Sequence, residues 1–247
     1  MLRYNMPFRF TRIQIRLGVL FLCMILAGCG GETQPPPRPG SSESSTLPRR
    51  DEPGRDLRKR ILFFGDSITA GYGLDPEQAF PAIIQEKLDD LGWPFEAVNA
   101  GLSGETTAGG LRRIDWMLKQ PVDVFVLELG GNDGLRGIQV GGTRHNLLEI
   151  VARVKTANPE VSVIVAGMRM PPNLGPMFAE QFAAVFPDVA DKTGAALIPF
   201  IGEGVVGHFN LVQMDGIHPT ASGHKVIAET IWEHLEPILR EKMEEAE

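Results

Sequence analysis

From Ile61 onward, short apolar runs alternate with longer stretches in which apolar residues recur every three or four positions. Five runs, at 61–64, 95–98, 122–129, 161–166 and 195–200, are continuous enough to be strands buried on both faces. Between and after them lie helical faces: Phe80, Ile83, Ile84, Leu88 and Leu91; then Phe178, Phe182, Val185, Phe186 and Val189; and finally Ile227, Ile231, Leu235 and Ile238. Strands separated by helices at this spacing predict an α/β fold, a three-layer sandwich around a mainly parallel five-stranded sheet. Pro187 and Pro237 fall inside two of the helical patterns and are expected to kink or end them.

The first 60 of the 247 residues follow neither period. Arg3, Arg9, Arg12 and Arg16 precede an apolar run, 17–27, that is short for a membrane span and suits the core of an export signal. Its end, Leu26-Ala27-Gly28-Cys29, resembles the lipobox of bacterial lipoproteins, which implies cleavage after residue 28 and lipidation of Cys29. Cys23 would leave with the signal, so no intrachain disulfide is expected. Residues 29–60 are rich in Pro, Ser, Gly and charge and read as a tether; 61–240 form the folded domain, and 241–247 an acidic, solvated tail.

Charge narrows the partners. Removing residues 1–28 takes four arginines and no acid, leaving 20 basic against 31 acidic side chains, a net of −11. That balance disfavours nucleic acid, and leaves attachment to a membrane of the bacterial envelope, facing the periplasm, to the lipid on Cys29. A monomer is expected.

Strand carboxyl ends are where an open α/β sheet binds ligands. Ser67 follows the first strand in Gly65-Asp66-Ser67, where a serine is either a turn or cap residue or a nucleophile. Glycine-dense segments follow later strands: "NAGLSGETTAGG", "LGGNDGLRG" and "MDGIHPTASGH". Ser103 in "GLSGE" is no nucleophile elbow, because Glu105 stands where that motif has glycine. Asp66, Asp133, Asp215 and His218 could be weighed as metal ligands, but they lack a close histidine pair or a dense carboxylate cluster. His145, His208, His224 and His234 read as surface or packing residues.

Taken in order, Gly65-Asp66-Ser67, Gly104 in "SGET", Gly130-Gly131-Asn132-Asp133 and Asp215-Gly216-Ile217-His218-Pro219 resemble the sequence blocks of the SGNH (GDSL-type) hydrolases, over about 61–239. The resemblance implies a serine ester or thioester hydrolase of the arylesterase, thioesterase or lysophospholipase type, without a cofactor or metal, acting on small acyl esters or thioesters. It implies Ser67 as nucleophile, His218 as general base and Asp215 as its orienter. Ser67 N–H, Gly104 N–H and the Asn132 amide would form the oxyanion hole. In such enzymes the loop matching "GMRMPPNLGPMF" borders the acyl site, which makes Met170, Met177 and Phe178 candidates for substrate binding, with core packing the equal alternative. A carbohydrate acetylesterase or acyltransferase of the same superfamily, and a non-catalytic lipid- or glycan-binding lipoprotein, are the alternatives.

Overall fold

Each apolar run becomes a strand, because a neighbour on at least one side takes up its backbone groups. In the computed structural model, which describes residues 58–245, the strands are β1 (Lys59–Gly65), β2 (Phe95–Gly101), β3 (Val124–Glu128), β4 (Ser162–Ala166) and β5 (Ala196–Ile198). All pair in parallel, in the spatial order β2-β1-β3-β4-β5. The export signal, Cys29 and the tether up to residue 57 lie outside the described residues.

The helices are α1 (Ser67–Ala70), α2 (Phe80–Asp90), α3 (Thr107–Met117), α4 (Gly131–Leu135), α5 (Val140–Ala157), α6 (Pro176–Ala183), α7 (Val185–Thr193) and α8 (Ala221–Glu244). The step from β1 to β2 and the step from β2 to β3 run in opposite directions along the sheet. Right-handed connections then put α2 on one face and α3, α5 and α7 on the other. Accordingly α2 packs on α8, and α5 on both α3 and α7. The chain reverses its direction of travel between β1 and β3, so their carboxyl ends open the crevice where this topology binds ligands.

Packing explains the core around β1. Residues 61–65 are fully buried, with Phe63 meeting the edge of Phe80 of α2 at 5.4 Å and Phe64 tilted against Phe125 of β3 at 5.6 Å.

Several boundaries differ from the sequence expectation. The first strand begins at Lys59, two residues before its apolar run, and the edge strand β2 runs on to Gly101 through exposed Asn99, buried Ala100 and half-buried Gly101, which carry no apolar run. β5 stops at Ile198, before Pro199, which has no N–H to offer the ladder. Leu91 stands 49% exposed just past α2 rather than on its buried face. Pro187 does divide its pattern: α6 ends at Ala183, the residue whose carbonyl a helical Pro187 would crowd. Pro237, by contrast, sits within a continuous α8. Residues 241–244 of the expected tail continue that helix, and there buried Lys242 donates from Nζ to the Glu160 carbonyl at 2.9 Å while its own carbonyl accepts from Lys59 Nζ.

Candidate active site

The site begins where β1 meets β3. Gly65 lies opposite Glu128, and a Cβ there would fall 2.1 Å from Thr69 Oγ1 and 2.5 Å from Glu128 Oε2, so glycine is the residue that fits. Asp66 then caps α1, its Oδ1 accepting the Ile68 N–H at 3.1 Å. The capping role open to Ser67 therefore falls to its neighbour, and Ser67 Oγ is left for another partner.

That partner comes from the loop between β5 and α8. Asp215 Oδ1 accepts the N–H groups of Ile217 (2.9 Å) and His218 (3.0 Å), and Gly216 turns the chain at φ +71°. The turn brings Asp215 Oδ2 to 2.6 Å from His218 Nδ1, and His218 Nε2 to 2.9 Å from Ser67 Oγ. The Tyr72 ring flanks the imidazole, 4.6 Å between centroids.

Asn132, in the first turn of α4, donates from Nδ2 to Asp66 Oδ2 at 3.1 Å. Gly104 sits in the turn after β2 at φ +79°, its carbonyl accepting from Arg136 at 3.1 Å. Ser67, Asn132, Asp215 and His218 are thus linked, directly or through Asp66, by hydrogen bonds at the carboxyl ends of β1 and β3.

Residues 63–226 match the family described as GDSL-like lipase/acylhydrolase. The chain belongs to that family. It is 39% identical over 180 residues to esterase TesA of Pseudomonas aeruginosa, covering 72% of this chain and 89% of that protein. It is 38% identical over 180 residues to the thioesterase 1/protease 1/lysophospholipase L1 of Escherichia coli (strain K12), covering 72% and 84%. A crystal structure of the psychrotrophic esterase EstA from a Pseudoalteromonas species, inhibited by monoethylphosphonate, superposes with a TM-score of 0.70 at 32% identity, over 74% of this chain and 99% of that one.

The GDSL turn rests on two buried acids. Glu128 is fully buried, and its Oε2 accepts from the N–H groups of Asp66 (3.3 Å) and Thr69 (3.2 Å) and from Thr69 Oγ1 (2.6 Å). Burial, and then the negative charge of Asp66, hold its carboxyl well above the usual glutamate range. Burial also pushes Asp66 up to about 6, against the hydrogen bonds from Ile68 and Asn132. Asp215 goes the other way: the bond to the His218 ring, then the two backbone N–H groups, lower it to about 2. At neutral pH it is a carboxylate facing His218.

The remaining candidates divide. Met170 is half-buried against α4, where a Cβ on Gly134 would meet its sulfur at 2.4 Å. Met177 is 71% exposed on α6, and Phe178 stacks on Phe182 at 6.1 Å. Asp133 is taken up by Thr107, accepting from its N–H at 2.8 Å and from its hydroxyl at 2.5 Å. Among the described residues, no group of three or more His, Cys, Asp or Glu side chains could hold a metal ion. His224 is a packing histidine, buried and accepting the Phe80 N–H at Nδ1.

Sequence reasoning missed Glu128, Thr69 and Tyr72. An acid inside the apolar run 122–129 was a legible signal, since an acid in a buried strand is rare unless something pairs with it.

Proposed function

We propose that the protein hydrolyses acyl esters or thioesters through an acyl-enzyme on Ser67. The observation that carries this reading is the relay from Ser67 Oγ to His218 Nε2 (2.9 Å) and from His218 Nδ1 to Asp215 (2.6 Å).

In the first half-reaction Ser67 Oγ attacks the acyl carbon while its proton passes to His218 Nε2. Ionised Asp215 holds the Nδ1–H and stabilises the imidazolium. Charge develops on the former carbonyl oxygen. The donors for it are the Ser67 and Gly104 N–H groups and the second amide N–H of Asn132, whose first is held by Asp66. His218 then returns the proton to the leaving alkoxide or thiolate, and water repeats the sequence to release the acid. The chemistry calls for no cofactor. Leu102, Leu135 and Ile217 are exposed apolar side chains on the segments that carry Gly104, Asn132 and His218, which suits an acyl chain.

The family names on its relatives support this class, and the ester of nature is left to a panel: p-nitrophenyl esters of two to sixteen carbons, acyl-CoA and lysophospholipid. The wild type is expected to turn over at least one series with a chelator present, and a folded Ser67→Ala protein none. Turnover by that variant contradicts the reading. The location we propose, a bacterial envelope membrane with the lipid on Cys29 and the domain in the periplasm, rests on the sequence pattern alone.

A further inference from the structure

His218 sits on a long connection: the 22 residues 199–220 between β5 and α8 contain one isolated bridge, Val212 with Pro219, and no helix or strand. Ser67 belongs to a different part of the chain, 151 residues earlier. A side chain at the base of the loop joins the two. Gln213 donates from Nε2 to the Tyr72 carbonyl at 2.8 Å and to the Pro219 carbonyl at 2.9 Å, while its backbone N–H donates to the His218 carbonyl at 2.7 Å. On the nucleophile side the Tyr72 N–H donates to the Ser67 carbonyl at 3.0 Å. Gly73 makes room for this contact, since a Cβ there would lie 2.7 Å from Gln213 Oε1.

These bonds close a circuit. From the Ser67 backbone it passes through Tyr72 to the Gln213 side chain, on to the His218 backbone, and back through the imidazole to Ser67 Oγ. Asp215 is outside it, because its bonds to His218 are all within the loop.

We infer that Gln213 is a positioning residue that sets the separation of Ser67 and His218 by tying the base-bearing loop to the segment after the nucleophile. Both N–H bonds of one amide are used, each to a backbone carbonyl, so the tie needs a donor at that place rather than bulk or charge. A loop released by one ångström would leave the Asp215–His218 pair formed but take the base out of reach of the hydroxyl.

The inference rests on the reading of Ser67 and His218 given above. Its test compares Gln213→Glu, which keeps the shape and loses both donors, and Gln213→Met with wild type, Ser67→Ala and His218→Ala. For each, kcat and KM on a short p-nitrophenyl ester, the rate of covalent labelling by a fluorophosphonate and the thermal midpoint are measured. Both Gln213 variants are expected to fold, to lose about ten- to a hundredfold in kcat and in labelling rate, and to keep KM within about twofold. Unchanged kcat, a loss carried by KM, or failure of both variants to fold overturns the inference. Activity in Ser67→Ala or His218→Ala would instead overturn the catalytic reading itself.

Discussion

Glu128 and Asn132 show how single side chains hold the site. Glutamate at 128 accepts three hydrogen bonds through one oxygen, and burial, then the charge of Asp66, raise its carboxyl in favour of the neutral form, so a neutral amide carrying the same acceptor is a fair substitute. Glu128→Gln is expected to cost less than about 1.5 kcal/mol in urea unfolding, whereas Glu128→Ala orphans buried donors at about 1–3 kcal/mol each. Equal losses would show that the charge, not the acceptor, matters. Asn132→Ala should lower kcat by roughly a hundred- to a thousandfold with little change in KM, as removal of an oxyanion donor does. Initial-rate kinetics check both parameters, and an effect confined to KM contradicts that role. Ser67, Asp215 and His218 were legible because they recur with their glycines in a fixed order. Gln213 and Thr69 were not, since a side chain whose partner lies far away in sequence leaves no spacing to read.

The elements were legible to the degree that burial is continuous. β1 and β4 could be read directly because both faces are covered, while the exposed positions of β2 hid its last residues. Between α2 and α8 the packing adds a pH dependence. Burial, and then the charge of His218, lower His224 from 6.5 to about 4. Between those values the folded protein binds fewer protons than the unfolded chain, so stability falls as pH drops from about 6.5 to 4. At 1.36 kcal/mol per pKa unit this amounts to on the order of 3 kcal/mol. Asp66, raised to about 6, works in the opposite sense over 3.8 to 6, so the wild type alone would mix the two. The comparison with His224→Asn isolates the histidine. The stability advantage of the wild type over that variant should shrink on acidification from pH 6.5 to 4, and an advantage that stays constant contradicts the assignment.

At the scale of the whole molecule, the proposed lipid on Cys29 and the net charge of −11 from Cys29 onward predict attachment that salt does not release and detergent does. Cys29→Ala should alter location or processing and leave the turnover number of the folded domain unchanged. Fractionation and an esterase assay on the same samples check both. The domain carries its site at the carboxyl ends of its strands, the end opposite to Lys59, where β1 starts. No helix among the described residues is long and apolar enough to cross a membrane. The central claim, that Ser67 is the nucleophile, is tested most directly by the intact mass of the protein after reaction with a fluorophosphonate, followed by peptide mapping. The account predicts one adduct per chain, on Ser67, absent from Ser67→Ala and strongly slowed in His218→Ala. An adduct on another residue, or none in an esterase-active wild type, would contradict it.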